Sequence, residues 1–130
     1  MSTVIDGSAG ITTNAGGSVN PSTNVDGLNY STRAWVTFTV SGTTPTIRAS
    51  GNVTSVTRTA TGLYTIVFTT AMVDQYYCVG IVAQRPTTNN TIIGSIQQAN
   101  SPTATTLYVA FSEDTGSAQE PSLACIHVIR

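Results

Sequence analysis

Residues 34–77 read AWVTFTVSGTTPTIRASGNVTSVTRTATGLYTIVFTTAMVDQYY. Their pattern decides the fold. In the first seven positions Ala34, Val36, Phe38 and Val40 alternate with Trp35, Thr37 and Thr39. A period of two places successive side chains on opposite faces, as on a half-buried strand. TIRAS, VTSVTR and LYTIVFTT follow, separated by Ser50-Gly51-Asn52 and Thr61-Gly62. Gly and Asn tolerate the positive φ of hairpin turns, so each break reads as a turn.

Outward from this stretch the β pattern continues to the end of the chain. Strands are expected near 34–40, 45–50, 53–58, 62–70, 75–84, 91–99, 104–112 and 122–130. The breaks fall at Ser41-Gly42, Gly51-Asn52, Thr61-Gly62, Arg85 through Asn90, Asn100 through Pro102, and Glu113 through Pro121. Turn chemistry about every ten residues predicts an all-β fold, an antiparallel β-sandwich of about eight strands. Tyr64, Ile66 and Phe68 form one expected core row, and Leu107, Val109 and Phe111 another. YYCVGIVA and LACIHVIR are apolar on both faces, which predicts a cover on both sides, the second supplied by another subunit.

The chain has 130 residues, the size of one domain, and is long enough to build a core without disulfides or metals. Charged residues make up only 8% of it, against about 25% in an average soluble domain. Its five basic residues are all arginines, Arg33, Arg48, Arg58, Arg85 and Arg130, and the net charge is −1. No basic patch is available for a phosphate backbone, so nucleic acid is not an expected partner. Nothing approaches 18 consecutive apolar residues, so no membrane span is expected, and the first residues lack the pattern of a secretory signal. A charge-poor surface resists association weakly, which suits a chain packed against its own copies or inside a larger assembly.

Residues 1–32 differ from the rest. Gly, Ser, Thr and Asn dominate, apolar residues are isolated, and no strand or helix period persists. This segment is read as an extended attachment arm, and residues 33–130 as the sandwich domain. The arm's anchors would be Val4, Ile5, Ile11, Val19, Val25 and Leu28, because buried apolar area is what offsets the entropy of ordering.

Ala34-Trp35-Val36 with Phe38, then Ile47 through Val53, Gly62 through Phe68, and Ala71 through Tyr77 resemble a module of tail-fibre and related structural proteins of tailed bacteriophages. The resemblance covers roughly a third of the chain and consists of structural residues. It implies a non-enzymatic structural protein at the virion surface, assembled as a homotrimer. Two functions are compatible with it. One is a capsid decoration or cement protein fastened by its arm to the major capsid protein. The other is a tail-fibre tip or receptor-binding knob touching host surface glycans through Pro86–Asn90 and Glu113–Pro121, helped by Tyr76, Tyr77 or Tyr108 where exposed.

Chemistry is hard to find in the sequence. The carboxylates are Asp6, Asp26, Asp74, Glu113, Asp114 and Glu120, and none forms an evident acid–base pair of the kind glycoside hydrolysis needs. Asp74 reads as a cap on its own turn. There is no G-x-S-x-G elbow, P-loop, dinucleotide fingerprint or HExxH, so neither a catalytic site nor a cofactor is expected. Cys78 and Cys125 read as small buried hydrophobes with free thiols; a bridge would need their strands to neighbour each other or to face across the core. His127 reads as a hydrogen-bonded strand residue. Trp35, on the threonine side of its strand, either bridges to the second layer or meets a subunit. Arg48 and Arg58 either solvate a sheet edge or pair with a neighbouring subunit.

Overall fold

The computed structural model describes residues 4–6, 10–12, 31–87 and 91–130. The chain divides into two units, Met1–Ser31 and Thr32–Arg130. In the first unit β1 (Val4–Asp6) and β2 (Gly10–Thr12) pair antiparallel, with Ile5 opposite Ile11. This corrects the expectation of a leader without regular structure. Three-residue strands are too short for a repeating period to show, yet two of them three residues apart still close a ladder. Of the proposed anchors, Val4, Ile5 and Ile11 belong to this hairpin; Val19, Val25 and Leu28 lie outside the described residues.

The second unit contains β3 (Thr32–Ser41), β4 (Thr44–Gly51), β5 (Val53–Ala60), β6 (Leu63–Phe68), β7 (Cys78–Gln84), β8 (Ile92–Ile96), β9 (Thr106–Glu113) and β10 (Leu123–Ile129). They form two antiparallel four-stranded sheets, ordered β4-β3-β10-β7 and β5-β6-β9-β8. All eight expected strands are present. The strand expected at 75–84 begins only at Cys78, because Asp74 caps a turn: its Oδ1 accepts the Tyr76 amide at 2.8 Å. The turns lie where Gly and Asn predicted them, with positive φ at Gly42, Asn52, Gly62 and Gly116.

The core lies between the two sheets. Ala34, Val36 and Phe38 from β3 face Tyr64, Ile66 and Phe68 from β6, and Leu107, Val109 and Phe111 from β9. Phe38, Tyr64 and Phe111 meet as a cluster with ring centroids 5.3 to 6.5 Å apart, tilted or edge-on. Such geometries favour the ring quadrupoles. Every one of these core residues was legible from the period of two.

One buried polar side chain, Gln97, ties the edge of the second sheet to its centre. Its amide nitrogen donates to the carbonyls of Val109 (3.0 Å) and Tyr64 (3.3 Å), and its oxygen accepts Asn100 Nδ2 at 2.9 Å. A buried amide is tolerated because its donors and acceptor are matched.

Antiparallel strands sort the loops into two ends. Glu113–Pro121 and the Thr61-Gly62 turn lie at one; Asn52, Thr69–Tyr77 and Arg130 lie at the other. At the first end Glu120 accepts Arg58 Nε at 2.5 Å and also the Tyr64 hydroxyl, so the long Glu113–Pro121 loop is latched onto the core. Burial, then the hydrogen bond and charge of Glu120, push the Tyr64 phenol above its usual range, against a weaker opposing pull from Arg58.

Candidate functional site: the outer face of the β4-β3-β10-β7 sheet

Because β3 and β10 bury their even-numbered residues, their odd-numbered ones form the outer face: Trp35, Thr37 and Thr39, with Leu123, Cys125, His127 and Ile129. β7 adds Cys78, Gly80, Val82 and Gln84. The register aligns these residues in rows. One row runs Gly51–Trp35–His127–Gly80 across all four strands. A glycine stands at each end of it, and the reason is steric. A Cβ on Gly51 would lie 2.4 Å from Trp35 Nε1, and one on Gly80 would lie 2.1 Å from His127 Cε1. The two rings therefore lean apart over the outer strands, and their flanks form the surface.

The next row runs Ala49–Thr37–Cys125–Val82, and the Thr37 hydroxyl donates to Cys125 Sγ at 3.7 Å. No outward position of the four strands carries a carboxylate. Arg48, beside the β3–β4 register shift, donates from Nε to Thr39 Oγ1 at 3.0 Å. Trp35 is 43% exposed, Val82 69% and Ile129 37%. This face thus carries exposed apolar groups in separate rows with little charge among them.

Several sequence expectations are settled by this geometry. Trp35 does not bridge to the second layer; it is on the outer face, because its neighbours Ala34 and Val36 take the core positions. Among the described residues of the second unit, no further strand layer covers the outer faces of β7 and β10. His127 is exposed, and among the described residues its ring packs on Gly80 instead of making a hydrogen bond. The cysteines do lie on neighbouring strands, but Cys125 is opposite Val82 and Cys78 is opposite Ile129. Four residues of extended strand, about 13 Å, separate them, beyond the ~7 Å limit of a bridge. Both thiols are free; Cys78 is exposed and Cys125 half-buried. Arg58 is paired with Glu120 of its own chain.

A second feature lies at the end of the sandwich that carries Asn52. A cleft there is lined by Arg33, Asn52, Thr70, Met72, Val73 and Arg130. Asn52 clamps its walls: Oδ1 accepts the Thr70 amide at 2.7 Å, and Nδ2 donates to the carbonyls of Arg33 and Thr70. Arg130 pairs with Asp74 and donates to the Tyr76 carbonyl at 3.1 Å. Tyr76 stands 75% exposed beside it. Tyr77 is buried, its hydroxyl donating to the carbonyls of Thr103 and Thr106, and burial pushes its phenol up to about 12. Tyr108 is half-buried. Of the three tyrosines, then, only Tyr76 is open for stacking. It lies opposite the end that carries Glu113–Pro121 and Pro86; Thr88, Asn89 and Asn90 lie outside the described residues.

Among the described residues no group of three His, Cys, Asp or Glu side chains is arranged to hold a metal. Compared with family models, with curated proteins and with solved structures, the chain matches none.

Proposed function

We propose that this chain is a non-enzymatic structural component of a larger particle, docked through the outer face of the β4-β3-β10-β7 sheet. The observation that carries the reading is that face, with Trp35, Val82 and Ile129 exposed on a sheet without outward carboxylates. Covering it would release ordered water from apolar surface at about 25 cal/mol per Å². The sandwich behind it is held by a packed aromatic core, so docking requires no rearrangement of the sheet.

The particle is the one the sequence resemblance implies, a tailed-phage virion, with the chain decorating the capsid. Three-fold assembly belongs to the same reading and comes from the resemblance; the face supports association without fixing its order. The specific observation favouring a tail-fibre knob is the end cleft, where exposed Tyr76 stands beside Arg130 and Arg33, a combination suited to a sugar ring and its polar substituents.

Immunogold labelling of intact phage particles with an antibody raised against the chain tests this directly. Gold over the capsid is the expected result. Gold at the tail tip replaces decoration with the knob, and particles that never label overturn both.

A further inference from the structure

A four-stranded sheet has two edges, and this sandwich therefore has four: β4, β7, β5 and β8. Unpaired strand edges invite pairing with other chains, and proteins blunt them with charge, proline, bulges or shortness. Two of the edges here are blunted. β4 carries Pro45 and Arg48, with a register shift in its ladder. β5 carries Arg58 and two register shifts. β8 is without charge, proline or a register shift, but at five residues it offers a shorter ladder than β7. β7, the longer of the two open edges, has none of the features of β4 and β5. It is seven residues, CVGIVAQ, without charge or proline, and its ladder to β10 runs without a shift. Among the described residues it has a ladder partner on one side only.

From this contrast we infer that β7 is a pairing edge, and that its occupant is β7 of a second copy, antiparallel across a two-fold axis. Self-pairing fits this strand because an uncharged sequence meets its own reverse without like-charge repulsion. Full overlap of Cys78–Gln84 places the axis at Ile81, the middle residue. Val82 then lies opposite Gly80 of the second copy, and Cys78 opposite Gln84. Those pairings suit the surface. Val82, 69% exposed in the single chain, would lie against the His127 ring that overhangs the partner's Gly80, and the contact occurs twice by symmetry. The two sheets would join into one of eight strands.

The inference rests on the proposed function for the premise that the chain associates with itself, and Val82, on the outward side of the edge strand, is common to both; the backbone edge of β7 carries the inference. Light scattering of the full chain is expected to give twice the single-chain mass, in place of the three-fold order that the sequence resemblance implies. Val82→Lys, an exposed change that puts charge on the edge, should halve that mass while the far-UV circular dichroism spectrum of the sandwich is kept. Trp35→Ser, central on the face and away from the edge, should leave the dimer intact. Gln84→Cys should yield, on oxidation, a dimer on non-reducing gels through Cys78 of the other copy. A monomeric wild type overturns both the edge and self-association through the face. A trimer, a Val82→Lys dimer, or dissociation by Trp35→Ser overturns the edge and transfers the association to the face.

Discussion

His127 stands opposite Gly80 in the β10–β7 ladder, and its imidazole fills the space that a side chain at position 80 would need. The same holds one strand pair away for Trp35 and Gly51. These contacts are between a glycine and the far end of an exposed ring, which is free to rotate away. Gly80→Ala is therefore expected to swing the His127 ring off the β7 edge while changing stability by less than about 1 kcal/mol. Displaced imidazole resonances with an unshifted urea midpoint would check this.

Gly94 gives the opposite outcome. A Cβ there would lie 2.2 Å from Ile81 Cγ2 and 3.3 Å from Phe111 Cε1, both toward the core. Overpacking of this kind costs about 1–3 kcal/mol. Gly62→Ala is expected to be at least as costly, since it combines φ of +68° with the Phe111 carbonyl oxygen at 2.4 Å from the added carbon. Both should lower the urea midpoint clearly, in contrast to Gly80→Ala.

Removing the Glu120 carboxylate leaves the Arg58 charge and the Tyr64 hydroxyl without their shared acceptor at the edge of the core. Glu120→Ala is expected to cost about 2–4 kcal/mol, with Glu120→Gln costing less because an amide oxygen still accepts. Thermal melts of the two variants compare them. Faster hydrogen exchange in the Glu113–Pro121 loop of Glu120→Ala would show that the latch holds that loop.

Gln97→Leu keeps the volume of a buried side chain but strips hydrogen bonds from the Tyr64 and Val109 carbonyls. The expected loss is about 1–3 kcal/mol, read as a lower urea midpoint with the slope unchanged. A neutral result would show that water replaces the amide at both carbonyls.

Alkaline stability follows from the two buried phenols. Both are raised in the folded protein, Tyr77 to about 12 and Tyr64 further. An unfolded tyrosine ionises near 10, so above that pH the unfolded chain binds fewer protons than the native one. Stability is thus full below about pH 10 and falls as pH rises through the folded values, by up to about 1.4 kcal/mol per pH unit for each phenol. Tyr77→Phe should flatten the fall between pH 10 and 12, measured by urea midpoints across that range. An unchanged slope would count against the burial of Tyr77.

Local patterning determined a great deal of this molecule. Alternation in 34–40, 63–68 and 107–111 gave the strands and their inward rows, because a strand's two faces are set by residue parity alone. Gly and Asn placed the turns, because positive φ is a property of single residues. Parity also put Trp35 opposite the core residues. What it could not supply was which strands become neighbours. Register between strands far apart in sequence is fixed by tertiary packing, and only that brought Gly51, Trp35, His127 and Gly80 into one row. The same packing kept Cys78 and Cys125 apart on adjacent strands, turned Arg58 toward Glu120, and left β7 as the longer of two edges with nothing to blunt them.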